Sequence, residues 1–222
     1  IKAGSESKTV DYILAAMGRR PNVESLDLKN AGCELDAKGL PHFSLETMAV
    51  KGSNLFIAGD VDGVRPILHE SADDGRIAGY NAVREVTTRF KRRVGMAIGF
   101  TTPQFGNVGK ALADLKDPVI GEASFENQGR SVILEENVGM LRVYAEAKTG
   151  KLLGAEFLSP RGEHLAHILA AAIEQGATVL DMLRAPFYHP TVEEGLRTAL
   201  KDARGKLWPD AKAGLDLDIL KN

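Results

Sequence analysis

The hydrophobic positions in the N-terminal part of the chain fall into short runs that turn residues separate. The run "VDYILAAMG" (10–18) is rich in branched and aromatic residues, ends at a glycine, and predicts a strand. The run "NLFIAGD" (54–60) predicts a second, buried strand. Apolar residues then recur at helical spacing over 68–86, which predicts a helix. We therefore expect this part of the chain to be α/β or irregular in character.

Beyond a polar, basic stretch at 89–95 the pattern becomes that of an antiparallel sheet. "MLRVYAE" (140–146) alternates apolar and polar residues, "KTG" favours a tight turn, and "KLLGAEFLS" (151–159) predicts the returning strand. We therefore place a domain boundary here and divide the chain into residues 1–90 and 91–222.

The C-terminal part also contains predicted helices. The strongest is amphipathic over 161–175, with Gly176 as its C-terminal cap, and its apolar face at 165–173 is expected to be buried in a core or an interface. A short helix follows, then the break "APFYHP", then a final helix through about residue 203; the tail after it is weakly patterned. The predicted fold class is α+β, with an antiparallel sheet flanked by helices.

Composition and charge exclude several classes of function. The 222 residues are 44% hydrophobic and 26% charged, as in ordinary soluble globular proteins. A net charge of -2 provides no electrostatic footprint for nucleic acid or an anionic membrane. No apolar run is long enough to cross a bilayer and the first residues lack a signal-peptide pattern, so we predict a cytoplasmic location. The single cysteine, Cys33, cannot form an internal disulfide, and no metal site is predicted.

Gly59 and Asp60 are the first candidate for a ligand site. A buried strand that ends in Ala-Gly-Asp can project the carboxylate from the edge of a sheet, where it accepts a hydrogen bond from a cofactor hydroxyl. Gly59 would let the backbone come near the ligand. Because glycine and aspartate end many strands that bind nothing, this dipeptide alone is weak support for the site.

The second candidate site is "HPTVEEGL" (189–196). A His-Pro step fixes the backbone before a helix, and Glu194, five residues after His189, can return to the imidazole and orient it as a general base. The same letters are typical of an ordinary helix start, with Thr191 near the N-cap and acidic residues in the first turn. Only Glu194 has the spacing to orient His189, and Glu193 is expected to be a solvated charge. No role is predicted for His42, His164 and His167.

Several stretches together resemble one protein family. "DYILAAMGRRPN", "NLFIAGDVDGVRPILHE", "TTPQFGNVG", "GKLLGAEFLSPRGEHL" and "HPTVEEGL" occur in the order and spacing of the C-terminal half of the flavin-dependent pyridine nucleotide-disulfide oxidoreductases. Within that family the chain is most similar to the dihydrolipoamide dehydrogenases. The resemblance implies the end of the NAD-binding domain and the second lobe of the FAD-binding domain over 1–90, a partial α/β segment. It implies a dimerisation domain over 91–222.

The resemblance also implies FAD and NAD as cofactors of the full-length protein. Gly18 and Arg19 match the motif that closes the NAD-binding domain and lies near the nicotinamide nucleotide. Asp60 matches the residue that hydrogen-bonds the ribityl chain of FAD, beside Gly59.

The segment "PILHE" (66–70) matches the part of the family that passes the isoalloxazine ring of FAD, which places Leu68 and His69 beside the flavin. His69 stands where many members of the family have alanine. Glu70 replaces their histidine.

For His189 the resemblance implies a role across a homodimer. The histidine would protonate and deprotonate the thiol nearest the substrate, with Glu194 holding the imidazole, and the disulfide would belong to the other subunit. Thiol–disulfide exchange needs a thiolate, which a neighbouring base can generate. Lipoyl-bearing components of 2-oxoacid dehydrogenase complexes are implied as further partners.

Three motifs of the family do not occur in these 222 residues: the FAD fingerprint "GxGxxG", the redox pair "CxxxxC" and the glycine-rich turn of the NAD domain. We therefore expect the chain to be a piece of a longer protein that is inactive alone and binds no cofactor tightly. Three functions stay open: dihydrolipoyl dehydrogenase, a related glutathione or mercuric reductase, and a non-catalytic dimerisation module.

Overall fold

The computed structural model describes residues 1–209, which form two compact units. The first unit is Ile1–Arg92 and the second begins at Arg93. Each unit has a hydrophobic cluster of its own. The weakly patterned tail lies outside the described residues from residue 210 on.

The first unit contains little regular structure. A short hairpin consists of β1 (Lys2–Ala3) and β2 (Glu6–Ser7), and the main element is helix α1 (Leu68–Ala82). Two 3-10 turns lie at Glu24–Leu26 and Asp60–Asp62. The core is a small cluster of buried side chains that includes Met48, Ile57 and Ile77.

Both strands predicted in this unit are wrong. Residues 10–18 form no strand, and the side chains of Tyr12, Leu14 and Met17 are 92%, 92% and 91% exposed. A strand requires a neighbour for its backbone hydrogen bonds, and among the described residues no strand lies beside 10–18. The strand predicted at 54–60 is reduced to a single antiparallel bridge between Phe56 and Ala49.

Helix α1 ends earlier than the predicted residue 86 because Asn81 takes over the hydrogen bonding there. Asn81 is fully buried, and its Nδ2 donates to the carbonyl oxygens of Thr47 at 2.9 Å and Thr88 at 3.0 Å. Its Oδ1 accepts from the N–H of Thr88 at 2.8 Å. These bonds fix the chain after Ala82 in a non-helical path.

The second unit is built on a five-stranded antiparallel sheet. Its strands are β3 (Met96–Gly99), β4 (Gln104–Gly109), β5 (Val119–Ser124), β6 (Met140–Ala145) and β7 (Leu152–Ser159). They lie in the order β3-β4-β7-β6-β5. The predicted hairpin forms the adjacent strands β6 and β7. The predicted α+β class, an antiparallel sheet flanked by helices, is confirmed.

Two longer helices, α3 (Gly162–Glu174) and α5 (Glu194–Leu207), pack against this sheet. The apolar face predicted on the first of them lies in the core of the unit, where Leu165 and Leu169 are fully buried. Gly176, with φ of 71°, follows the end of α3 as predicted. The described part of the unit also contains two short helices, α2 (Gly129–Ile133) and α4 (Val179–Arg184).

Helix α5 lies unusually close to the edge strand β5. A Cβ on Gly121 would lie 2.2 Å from the carbonyl oxygen of Ala199, so only glycine permits this approach. Asp202 of α5 accepts from the N–H of Glu122 at 2.8 Å, and Nζ of Lys206 donates to the carbonyl of Ile120 at 2.8 Å. The helix therefore covers the core side of β5 and also bonds its outer edge.

Candidate functional site

The turn before α5 holds a histidine and a glutamate in direct contact. Nδ1 of His189 lies 3.1 Å from Oε1 and 3.0 Å from Oε2 of Glu194, the first residue of α5. The backbone N–H of Thr191 donates to the same Oε2 at 3.1 Å. The structure thus brings together the two residues that the five-residue spacing predicted.

These hydrogen bonds determine the charge of Glu194 and the tautomer of His189. Partial burial raises the pKa of Glu194, but the hydrogen bonds from His189 and Thr191 outweigh burial and hold the pKa below its ordinary value of 4.5. An ionised carboxylate only accepts hydrogen bonds, so the proton of a neutral imidazole is assigned to Nδ1. Nε2 then has a free lone pair, and the side chain is 78% exposed. The imidazole can accept a proton from a group that approaches from solvent.

Glu193 differs from its prediction as a solvated charge. Its Oε1 lies 3.3 Å from Nδ1 of His164 in the first turn of α3, and only 27% of the Glu193 side chain is exposed. Neighbouring side chains on a helical path diverge by about 100°. The two adjacent glutamates therefore contact two different histidines.

Thr191, predicted near the N-cap of α5, lies two residues before it. The N-cap is Glu193, and the hydroxyl of Thr191 donates instead to the carbonyl of Tyr188 at 2.8 Å. A turn closed by the N–H of Gly195 and the carbonyl of Val192, at 3.0 Å, leads into the helix. The hydroxyl of Thr191 thus stabilises the His-Pro turn, and its N–H stabilises Glu194.

In the first unit, helix α1 positions the Gly59–Asp60 step. Gly59 has φ of 82° and ψ of -165°, a conformation that favours glycine, and its N–H donates to Oδ2 of Asp74 at 3.1 Å. Oδ1 of Asp60 accepts from the hydroxyl of Ser71 at 2.9 Å. Since Asp74 and Ser71 both belong to α1, this helix sets the direction of the Asp60 carboxylate.

Arg19, which follows Gly18, also contacts Asp60. Its Nη1 lies 2.8 Å from Oδ2 of Asp60, and its Nη2 donates to the carbonyl of Pro66 at 2.9 Å. The side chains of Arg19 and Asp60 are 69% and 44% exposed, so the pair contributes less than about 1 kcal/mol. Arg19 and Asp60, which were predicted to contact different cofactors, thus form one weak ion pair. A cofactor hydroxyl bound to Asp60 would compete with Arg19 for its carboxylate.

Leu68 and His69 begin α1 and are exposed, Leu68 to 85%. The side chain of Asp60 is 44% exposed, so the Asp60 carboxylate and the Leu68 side chain are both accessible from solvent. Glu70 differs, because it is only 4% exposed and accepts from Arg65 at 3.0 Å and Arg92 at 2.8 Å. The residue that replaces the family histidine therefore forms a buried ion pair.

The described residues provide no group of three His, Cys, Asp or Glu side chains that could hold a metal ion. No helix within residues 1–209 is long and apolar enough to cross a membrane. Two of the predicted groups are therefore brought together in this range: His189 with Glu194, and Arg19 with Asp60.

Comparison with known proteins agrees with the fold of the second unit. Residues 96–200 match the family described as pyridine nucleotide-disulphide oxidoreductase, dimerisation domain. The matched range includes all five strands of the sheet in the second unit. His189 and Glu194 both lie inside the matched range, whereas Asp60 and Arg19 lie outside it.

Curated relatives extend over more of the chain than the dimerisation domain. A dihydrolipoyl dehydrogenase from Haloferax volcanii is 32% identical over 201 residues, which are 88% of this chain and 42% of that protein. A soluble pyridine nucleotide transhydrogenase from Erwinia tasmaniensis is 31% identical over 216 residues, 94% of this chain and 46% of that protein. The chain therefore spans less than half the length of these relatives.

Solved structures of similar fold include flavoproteins. The HOCl-induced flavoprotein disulfide reductase RclA from Escherichia coli matches with a TM-score of 0.71 and 24% identity, covering 84% of this chain and 44% of that chain. LpdA from Mycobacterium tuberculosis matches with a TM-score of 0.71 and 22% identity, covering 85% and 41%. At these identities the likeness concerns the fold alone.

Three contacts around His189 and Glu194 are not evident from the amino-acid sequence. Thr191 supplies a backbone donor, Gln128 donates from Nε2 to the carbonyl of Thr191 at 2.7 Å, and His164 contacts Glu193. A backbone donor leaves no trace in the residue letters. The Gln128–Thr191 and His164–Glu193 contacts join residues 63 and 29 positions apart, and no local periodicity encodes them.

Proposed function

We propose that this chain is the C-terminal portion of a flavin-dependent disulfide oxidoreductase, most nearly a dihydrolipoyl dehydrogenase. The reaction would convert a dihydrolipoyl group and NAD+ into a lipoyl group and NADH. The observation that carries the proposal is the contact between His189 and Glu194 inside the dimerisation domain. The dihydrolipoyl dehydrogenases among the curated relatives, at 32% identity, support it.

In this proposal His189 is the base for a substrate thiol. Nε2 would remove the proton from one dihydrolipoyl thiol, and the thiolate would attack a protein disulfide to form a mixed disulfide. The second substrate thiolate would then close the lipoyl disulfide, which leaves the protein as a dithiol and the two electrons on it. Glu194 keeps Nε2 as the basic nitrogen by holding the proton on Nδ1.

The redox disulfide would come from outside this chain. Cys33 is the single cysteine of the sequence, and it is buried in the core of the first unit. A disulfide needs two sulfur atoms, so we place it in a further segment of the whole protein, on the other subunit of a homodimer. This chain alone is therefore expected to be inactive.

Both cofactors would belong to the whole protein. FAD would be contacted by Gly59, Asp60, Leu68 and His69. NAD would lie near Gly18 and Arg19. When bound, FAD would supply the electron transfer between the protein dithiol and NAD+. Lipoyl-bearing components of a 2-oxoacid dehydrogenase complex would be partners, and the cytoplasm stays the predicted location.

A second function is favoured by the soluble pyridine nucleotide transhydrogenases at 30–31% identity. Hydride transfer between two nucleotides does not require a base for a thiol. His189 would then have no part in turnover, and this difference separates the two functions.

The test uses the complete coding sequence that contains this chain. With dihydrolipoamide and NAD+, the protein should form NADH, and His189→Gln should lower turnover by about 10²–10⁴-fold while the flavin absorbance stays intact. His164→Gln is the matched control, because its imidazole also contacts a glutamate at the start of α5 and should leave turnover near the wild-type value.

Other substrates decide among the alternatives. Absence of NADH formation from dihydrolipoamide would reject the dihydrolipoyl assignment. Reduction of glutathione disulfide or of Hg(II) by NADPH would instead identify a related reductase. Transfer of hydride from NADPH to an NAD+ analogue at a rate unchanged in His189→Gln would identify a transhydrogenase. Absence of all these activities would leave the non-catalytic dimerisation module.

A further inference from the structure

A glutamine far from His189 in the sequence is hydrogen-bonded to the turn that carries this histidine. Gln128 is the N-cap of α2, where its Oε1 accepts from the backbone N–H of Ser131 at 2.8 Å and from the hydroxyl of Ser131 at 2.7 Å. Its Nε2 donates to the carbonyl of Thr191 at 2.7 Å. A backbone N–H only donates and a carbonyl only accepts, so the orientation of this amide is fixed by its partners.

Thr191 connects this amide to the histidine–glutamate pair. Its carbonyl is held by Gln128, and its N–H holds Oε2 of Glu194 at 3.1 Å. Glu194 in turn contacts Nδ1 of His189. A single residue of backbone therefore separates the Gln128 bond from the bond that positions the carboxylate.

The hydrogen-bonded residues run from Ser131 to His189, and these two end residues differ in burial. Ser131 is fully buried, whereas the side chains of Tyr188 and His189 are 83% and 78% exposed. Packing therefore does little to hold the imidazole in place. A site is held accurately when its exposed groups are hydrogen-bonded to rigid elements behind them. The buried Ser131 of α2 supplies such support, because its backbone N–H donates to Oε1 of Gln128.

We propose that Gln128 is a positioning residue for the His189–Glu194 pair. Its Nε2–H fixes the carbonyl of Thr191, so that the N–H of Thr191 keeps Glu194 where it can hold the Nδ1 proton of His189. The effect on the tautomer rests on these contacts alone. The effect on turnover also rests on the proposed function.

One substitution separates this role from the capping of α2. Gln128→Glu keeps the size of the side chain and an oxygen that accepts from Ser131, but its second oxygen cannot donate to the carbonyl of Thr191. Ser131→Ala is the matched control, because it removes a hydrogen bond at the same cap and leaves the Nε2 bond to Thr191. Both variants disturb α2, and only one of them removes the donor.

The first measurement is the tautomer of His189 in the 222-residue chain, from two-bond nitrogen–hydrogen NMR correlations of the imidazole. Gln128→Glu should lower the ratio of the Nδ1–H to the Nε2–H form by about threefold to tenfold, the factor that one hydrogen bond represents. Ser131→Ala should keep the wild-type ratio. A wild-type ratio in Gln128→Glu, or an equal fall in Ser131→Ala, overturns the proposal.

A second variant guards against failure to fold. If circular dichroism shows that Gln128→Glu is unfolded, Gln128→Met, which is of similar length and lacks the donor, should give the same fall in the tautomer ratio. An unchanged ratio in a folded Gln128→Met also overturns the proposal.

The kinetic measurement uses the flavin-loaded whole protein. Gln128→Glu should lower kcat with dihydrolipoamide and leave KM for NAD+ unchanged, whereas Ser131→Ala should change neither. If the wild-type protein has no activity on disulfides or dithiols, the proposed function fails, while the tautomer ratio still decides the role of Gln128. If the wild type is active and Gln128→Glu retains its full kcat, Gln128 has no positioning role in turnover.

Discussion

The two units of the chain place similar hydrophobic residues in opposite surroundings. In the second unit Leu165 and Leu169 are fully buried, whereas in the first unit Leu14 and Leu68 are 92% and 85% exposed. Exposed apolar side chains in such numbers are typical of surfaces that bind another molecule or segment. A hydrophobic run in the sequence therefore predicts that its side chains are buried, but it does not identify the element or molecule against which they pack. The difference also agrees with the proposal that the first unit is part of a cofactor-binding region.

The largest expected effect comes from equal truncations in the two units. Leu169→Ala should lower the free energy of unfolding of the second unit by about 2–5 kcal/mol, because it leaves a cavity in a packed core. Leu68→Ala should change the stability of the first unit by less than about 0.5 kcal/mol, because the side chain is already in water. Denaturant unfolding checks both, with the single Trp208 reporting on the second unit and amide NMR signals reporting on the first. Equal losses of unfolding free energy in Leu169→Ala and Leu68→Ala would contradict the contrast in burial between the two units.

A smaller effect is expected from adding one methyl group in each unit. Gly121→Ala should destabilise the second unit by about 1–3 kcal/mol, because the Cβ meets the backbone of α5. Gly75→Ala lies within α1, has nothing within 4 Å of its Cβ, and should stabilise the first unit by about 0.5–1 kcal/mol through helix propensity. Thermal unfolding of the two variants measures both signs. A stabilising Gly121→Ala would mean that α5 can move away from β5.

The smallest effects concern pH, and the two units should respond with opposite signs. Burial raises the pKa of Asp62 in the first unit above its ordinary value of 3.8, outweighing the hydrogen bond from the N–H of Val64. The folded state then holds this proton more tightly than the unfolded state, so stability falls as pH rises from 3.8 through the raised pKa. Asp62→Asn keeps an acceptor for Val64, and it should stabilise the first unit at neutral pH and remove this part of the pH dependence.

Glu194 in the second unit should behave in the opposite way. Its folded-state pKa is lowered, so its contribution to stability is fully present above about pH 4.5 and is lost as pH falls through the lowered value. The stability difference between wild type and Glu194→Gln should therefore shrink below pH 4.5. Denaturant titrations from pH 7 to pH 3 measure both residues. If the stability contributed by Asp62 and by Glu194 changed in the same direction with pH, the causes assigned to their pKa shifts would be wrong.

The sequence predicted the second unit better than the first, and the reason is physical. Helix α3 and the β6–β7 hairpin depend on contacts between near neighbours in sequence, so periodicity and turn residues were sufficient to place them. The strand predicted at 10–18 had the right composition, but a strand also requires a neighbour, which composition does not supply. Local pattern is thus sufficient only where the stabilising contacts are local.

The candidate site shows the same limit. The His189–Glu194 contact was predictable because five residues on a turn and the start of a helix bring the two side chains together. The contact from Gln128 depends on how α2 lies beside the His-Pro turn, which tertiary packing decides. The Arg19–Asp60 pair likewise joins residues that the family resemblance assigned to different cofactors.

The bonds that α5 makes to β5 have a consequence for self-association. An edge strand with free backbone groups is a template on which another chain can add a strand, and ordered aggregates grow in this way. Asp202 and Lys206 already occupy the N–H of Glu122 and the carbonyl of Ile120, and they pair with each other at 2.6 Å. A strand could be added there only by displacing them. Within the described residues the opposite edge of the sheet is β3, which offers only four residues for such pairing.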